Sequence, residues 1–258
     1  MTEIRKVAFA GSGNVTTHLS KIFFDSNIEI IGFYGRNLQS AKLLADKYNT
    51  NHGELSDLKA CTADLIIVAV PDHAIEKVLK LLPTCNTIVA HTSGSLSINA
   101  LSNVTQHPAV FYPLQTFSKE KHVDFSEIPI MLEAKEEQDL KKLENLAHRI
   151  SNKIFRINSS QRIKIHIAAV FSSNFTNYLF HIAEDLLRRE EVSFEVIRPL
   201  IEETTQKIIE LRPFDAQTGP AVRKDLETIN KHLDDLKEIP EYQEIYKILS
   251  HHIIKSRE

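Results

Sequence analysis

Lys6-Val7-Ala8-Phe9-Ala10-Gly11-Ser12-Gly13-Asn14-Val15-Thr16 runs from an apolar, strand-like segment through two glycines into a stretch with apolar residues at helical spacing, Val15, Leu19, Ile22 and Phe23. Two glycines let a backbone turn sharply and approach a phosphate closely. The helix that follows offers free N–H groups and the positive end of its dipole. Gly11, Ser12, Gly13, Asn14 and Val15 fill these places. The full dinucleotide pattern has a third glycine where Thr16 stands. The reading therefore rests on context: a strand before, a helix after, and an alternating β/α pattern beyond. The alternative is a tight strand–helix turn that binds nothing.

Outward from this turn, Ile28–Tyr34 reads as a second strand, and Asn37 as the cap of a helix running to Tyr48. Leu65–Val70 is apolar throughout, as a parallel strand covered on both faces is. Pro71 stops it, and Asp72 is placed to cap a helix ending near Leu82, before Pro83. Thr87–Ala90 is a further buried strand. Val110–Tyr112, Ile130–Glu133 and Ile154–Ile157 add three more, with a charged amphipathic helix at Glu136–Ile150. This alternation predicts a Rossmann-like, doubly wound α/β fold with a mostly parallel sheet. After Asn158 the strand signals stop. Helices are expected at 160–190, 194–211, 220–236 and 241–255, punctuated by Pro213, Gly219-Pro220 and Pro240. The expected division is a dinucleotide-binding domain over 1–158 and an all-helical substrate and dimerisation domain over 159–258.

The 258 residues are 42% hydrophobic and 25% charged, which excludes a collagen, a disordered chain and a disulfide scaffold. Lys+Arg is 31 against Asp+Glu 34, so no duplex-binding surface is indicated and no nucleic-acid partner is expected. The only cysteines, Cys61 and Cys85, have no metal spacing and read as reduced thiols. No metal site is expected. Met1-Thr2-Glu3 leads straight into strand-like residues without an apolar signal region, and no apolar run reaches a membrane span. A cytoplasmic protein without a membrane partner is the expectation.

The second strand ends in Gly35-Arg36-Asn37, where an NAD site places an acid on the ribose hydroxyls. A guanidinium there suits a 2′-phosphate, so NADP(H) is the expected cofactor, with Arg36 and Asn37 as its contacts. Alternatively Arg36 is a solvated loop charge and Asn37 only a cap. Ligands of open α/β sheets bind beyond the carboxyl ends of strands. Val70-Pro71 and Thr92 fall there as cofactor contacts, with Ser93 as a donor near the reacting carbon in His91-Thr92-Ser93-Gly94-Ser95. Tyr112-Pro113-Leu114-Gln115-Thr116 ends a later strand, and its Gln115 and Thr116 are placed to line the cleft.

Ile165–Leu187 is apolar nearly all round, which predicts burial in the domain or in a dimer. Ser172-Ser173-Asn174-Phe175-Thr176-Asn177 interrupts it with poor helix formers. At about 100° per residue, His166, Ser173 and Asn177 share a stripe flanked by Asn174. A hydride-transfer site needs a proton donor near the reacting carbon, and His166 is the first candidate. The competing reading is a satisfied core histidine. Arg223 and Asp225, in the helix expected from Pro220, are placed either to pair or to meet a substrate or a second subunit.

Gly11-x-Gly13-Asn14-Val15, His91-Thr92-Ser93-Gly94-Ser95, Pro113-Leu114-Gln115-Thr116-Phe117, Ala168-Ala169-Val170-Phe171-x-x-Asn174 and Thr218-Gly219-Pro220-Ala221-x-Arg223-x-Asp225 occur in that order. The set resembles a family of NADP oxidoreductases that joins a Rossmann-like domain to a helical domain of unknown function. In layout it is similar to pyrroline-5-carboxylate reductase and the β-hydroxyacid dehydrogenases. The catalytic Lys-to-Asn spacing of the latter is absent: Lys164 is followed four residues later by Ala168. The resemblance implies an NADP-dependent oxidoreductase for a small carbonyl or imine compound, with His166, Asn174 and Ser93 at the chemistry and a homodimer formed through the helical domain. Other readings are a redox sensor acting through a protein partner and a deazaflavin-linked enzyme.

Overall fold

The computed structural model describes residues 3–58, 62–82, 84–118 and 123–258. Met1, Thr2, Cys61 and Pro83 lie outside the described residues, as does the side chain of Cys85. The chain divides into two compact units, Met1–Asn174 and Phe175–Glu258.

The first unit carries an eight-stranded sheet of β1 (Lys6–Ala10), β2 (Glu29–Tyr34), β3 (Asn51–Gly53), β4 (Leu65–Val68), β5 (Cys85–His91), β6 (Thr105–Pro113), β7 (Ile130–Ala134) and β8 (Ile154–Arg156). Their order in space is β3-β2-β1-β4-β5-β6-β7-β8. All neighbours are parallel except β6 and β7, which run antiparallel from Ala109 opposite Ala134 to Pro113 opposite Ile130. The connections include α1 (Asn14–Asp25), α2 (Leu38–Tyr48), α3 (Asp72–Leu79) and α4 (Glu137–Ala147). The chain builds outward from β1 to β3 and then returns to lay β4 on the other side of β1. The strand order therefore reverses between β1 and β4, the crevice where sheets of this kind bind ligands.

β1 and β4 are apolar without alternation because both of their faces are covered. Val7 and Phe9 enter the core on one face, with Phe23, Phe33 and Phe111, while Ala8 and Ala10 enter it on the other, with Ile66, Val68 and Ile75. Phe9 stacks on Phe33 at 5.5 Å, and Phe23 meets Phe111 edge-on at 5.8 Å. Asn37 caps α2 as expected, its Oδ1 accepting from Ser40 N at 2.9 Å. Asp72 does not cap α3. Pro71 is the cap residue, and the Asp72 carboxylate accepts from the Ser95 hydroxyl instead. In the first turn its charge still faces the positive end of the helix dipole.

α5 (Ser159–Ala169) opens on a reciprocal cap between Asn158 and Gln161. It gives way to a π-helical segment, Val170–Phe175, and then to α6 (Thr176–Arg189), so the expected unbroken helix over 160–190 is interrupted at its polar cluster. The second unit continues with α7 (Arg198–Glu210), α8 (Pro213–Ala216), α9 (Leu226–Asp235) and α10 (Pro240–Lys255). The helix expected from Pro220 starts six residues later. Gly219 and Lys224 take left-handed φ values of 109° and 54°. Asp225 is the cap, with its two carboxylate oxygens accepting from Thr228 N at 3.1 Å and Thr228 Oγ1 at 2.8 Å. Aspartate is among the strongest N-cap residues, and it wins over the Thr218-Gly219-Pro220 start. Asp185 accepts from Arg188, Arg189 and Tyr242 Oη, which ties α6 to α10. Among the described residues no helix is long and apolar enough to cross a membrane, and no group of three or more His, Cys, Asp or Glu is placed to hold a metal.

Candidate functional site

Gly11 follows β1 at φ 121°, and its N–H donates to Tyr34 O at 2.7 Å. A Cβ there would collide with the Ala69 carbonyl just past β4. The turn thus needs glycine for both conformation and space. Gly13 is the cap residue of α1, in extended conformation and with no side-chain cap. A Cβ on Gly13 would meet nothing within 4 Å. The first turn of α1, at the strand-order reversal, thus has open space beside its cap residue and no side-chain cap for its N–H groups, an arrangement that accepts an anion. The Asn14 side chain ties down the segment after β6 instead. Its Nδ2 donates to Phe117 O at 2.8 Å, and His18 Nε2 donates to Ser118 O at 2.8 Å. Thr16, where the third glycine of the pattern would be, is fully buried, and its Oγ1 has no partner.

The loop after β2 lies against this turn, since a Cβ on Gly35 would be 3.8 Å from the Gly11 Cα. Arg36 follows, exposed and in no ion pair among the described residues. Asn37 Oδ1 is committed to its helix cap, which leaves the amide NH2 for a ligand. Val70 closes the other side, its Cγ1 3.0 Å from where a Gly11 Cβ would stand. Thr92 N donates to Val68 O at 3.1 Å. The turn, Arg36 and Val70-Pro71 are thereby brought together at the carboxyl ends of β1, β2 and β4. An open helix N-terminus for a pyrophosphate and a free guanidinium on the neighbouring loop fit a dinucleotide carrying a further phosphate.

The loop after β5 is fixed from within. Ser93 Oγ accepts from Ser95 N and Leu96 N, both at 3.1 Å, and Ser93 is only 4% exposed. Its hydroxyl therefore holds the loop. His91 is fully buried, with Nδ1 accepting from Ser93 N at 3.2 Å. Burial, then the nearby Arg162 cation, lowers its pKa to about 4, against the weaker pull of Asp72 and the Ser97 backbone. Arg162 is the part that sequence reasoning missed. It is fully buried, and its guanidinium donates to Ser93 O at 3.2 Å, to Leu96 O, to Ser159 Oγ at 3.2 Å and to Glu133 Oε2. One arginine from α5 thus staples the β5 loop to β7. In the sequence it reads as an ordinary polar residue of a helix start.

Beside this loop is a cavity of about 570 Å3 within the first unit, whose walls include Tyr112, Gln115, Thr116, His166, Ser173 and Asn174. It lies beyond the carboxyl end of β6. A larger hollow, about 900 Å3, sits among Phe24, Ile28, Tyr48 and Asn51 at the opposite ends of the strands, away from the glycine turn. His166 Nδ1 is 3.1 Å from Tyr112 Oη. Gly94 makes room for the imidazole, since a Cβ there would stand 2.5 Å from His166 Nδ1. Of the expected stripe, His166 and Ser173 share this cavity, but Asn177 does not. It lines a separate cavity in the helical unit with His181 and Glu184. The π-helical segment breaks the regular 100° spacing, and such segments recur at functional sites.

Residues 6–92 match the family described as "NADP oxidoreductase coenzyme F420-dependent", and residues 128–253 match a domain of unknown function, DUF2520. A solved structure described as a "putative NADP oxidoreductase" from Bacteroides fragilis is 36% identical over 98% of this chain and 98% of its own, with a TM-score of 0.89. The chain belongs to this family of NADP oxidoreductases. NADP is the family's cofactor. Similarity in fold alone extends the layout of this NADP oxidoreductase to a 1-pyrroline-5-carboxylate reductase from Streptococcus pyogenes (13% identical, 97% of this chain and 98% of that one, TM-score 0.64). It extends equally to a reductive aminase from Aspergillus terreus in complex with NADPH and ethyl-5-oxohexanoate (15% identical, 99% and 94%, TM-score 0.73). No curated protein matches the chain.

Proposed function

We propose that this NADP oxidoreductase reduces a small carbonyl or imine compound at the cavity of Tyr112, His166 and Asn174, with NADPH across the strand ends between β1 and β4. The observation that carries this reading is the uncapped N-terminus of α1 at Gly13, with the exposed Arg36 on the adjoining loop. NADPH, when bound, supplies the hydride. The N–H groups of the first turn of α1 hold the pyrophosphate, and Arg36 with the Asn37 amide holds the 2′-phosphate in a charge-assisted contact. Arg162 keeps the His91–Leu96 loop in place. Asn174 orients the substrate heteroatom, and His166 belongs to the groups that relay the proton. The polar groups of Tyr112, His166 and Asn174 in an otherwise largely apolar cavity support turnover over a ligand-sensing role. Exposed Val196, Leu200 and Ile209 in the helical unit support a homodimer.

Titration with NADPH and with NADH, followed by nicotinamide fluorescence because the chain has no Trp, tests the cofactor site. Wild type is expected to prefer NADPH. Arg36→Ala is expected to lose about 10- to 100-fold in NADPH affinity with NADH unchanged, the worth of a hydrogen-bonded charge contact. Equal loss for both nucleotides, or none, contradicts the assignment.

A further inference from the structure

We infer that Tyr112 is the proton donor of this site and that His166 is the group that positions and recharges it. The inference rests on the reductase reading above. Three features place the pair. Tyr112 Oη and His166 Nδ1 are in hydrogen-bond contact at 3.1 Å, and their rings meet edge-on at 6.2 Å. Both line the cavity with Asn174. The imidazole is set by its surroundings, because it lies on the bare backbone of Gly94 and Arg162, one helical turn earlier on α5, is anchored in the loop that carries Gly94. Preorganised groups of this kind cost nothing to reorganise as charge develops.

The environment also keeps the hydroxyl protonated. Burial, and then the Asp72 carboxylate, push the Tyr112 pKa up, with Arg162 opposing. Tyr112 is therefore a protonated phenol across the neutral range, with a proton to give. The chemistry balances. A hydride adds to the carbon of the C=O or C=N bond, and the π pair moves to the oxygen or nitrogen. That atom takes the proton from Tyr112 Oη. His166 Nδ1–H then returns a proton to the tyrosinate as the other ring nitrogen takes one from solvent water, so no imidazolate forms and the net proton comes from solvent. NADPH leaves as NADP+, and no other reductant is needed.

The test compares wild type, Tyr112→Phe and His166→Gln. Three quantities are read: NADPH affinity, NADPH oxidation with ethyl 5-oxohexanoate and with 1-pyrroline as probes, and the His166 ring resonances in isotope-labelled protein, assigned by their loss in His166→Gln. Tyr112→Phe is expected to bind NADPH within about twofold of wild type, to lose about 100-fold or more in kcat with little change in KM, and to shift the His166 ring resonances. His166→Gln is expected to lose less. Turnover of Tyr112→Phe within about threefold of wild type, or unchanged His166 resonances, overturns the inference while leaving the reductase reading intact. If wild type binds no NADPH, the reductase reading fails and takes this inference with it. If wild type binds NADPH but reduces neither probe, the ring resonances decide.

Discussion

The sheet unit and the helical unit dispose of their apolar residues in opposite ways. In the first, Val7, Phe9, Leu65 and Ile67 are completely buried, and even the charged Arg162 has every contact inside. In the second, Ala221, Ile229 and Leu236 are the buried apolar side chains among the described residues, while Val196, Leu200 and Ile209 are 66%, 65% and 76% exposed. The central helix follows the second pattern. Its composition predicts burial in its domain or in a dimer, yet Ile167 and Phe171 stand exposed in the single chain. One chain completes the core that shapes the nucleotide crevice. The helical unit leaves apolar side chains exposed, and surface of that kind is what an association face offers.

The contrast breaks most visibly at Arg162. Arg162→Met removes one partner of a buried ion pair and frees two loop carbonyls, so a loss of about 3 kcal/mol in denaturant stability is expected. A loss under about 0.5 kcal/mol would mean that the pair is solvated and the sheet unit less closed than described. The next effect is on pH dependence. A buried His91 with its pKa lowered from 6.5 to about 4 stays neutral in the fold but protonates in the unfolded chain. Its contribution is complete above pH 6.5 and is lost as pH falls from there towards 4, by up to about 3 kcal/mol. His91→Gln should flatten the stability profile in that window, and an unchanged slope would contradict the burial. The smallest effect on folding is expected at Ile209→Lys, under about 0.5 kcal/mol at an exposed position. The same change should convert a dimer to a monomer in sedimentation. A wild-type monomer, or a variant dimer of equal strength, would remove this face from the assembly.

The sheet unit was legible because its strands and helices have distinct periods and clear punctuation. β3 is the exception: its three residues, Asn51-His52-Gly53, carry no apolar pattern and give no strand signal. The sharp turn at Gly11 was legible because its conformation follows from residue type. The π-helical segment was not, because its i→i+5 bonding leaves no residue signature beyond the weak helix formers at Ser172, Ser173 and Asn174. Arg162 and Tyr112 were missed for a shared reason. Arg162 to Ser93 and Tyr112 to His166 are contacts 69 and 54 positions apart in the chain, and local spacing carries no trace of them.

The most direct test of the account is Gly13→Asp. The extended conformation of Gly13 (φ −87°, ψ −167°) and the space around it accept a side chain, and aspartate is a strong helix cap. Folding stability should be unchanged or rise. Its carboxylate would stand where the pyrophosphate binds, and NADPH affinity, followed by nicotinamide fluorescence, should fall about 100- to 1,000-fold. A stable Gly13→Asp variant that binds NADPH as tightly as wild type would contradict the account, because the open N-terminus of α1 would then be a turn and nothing more.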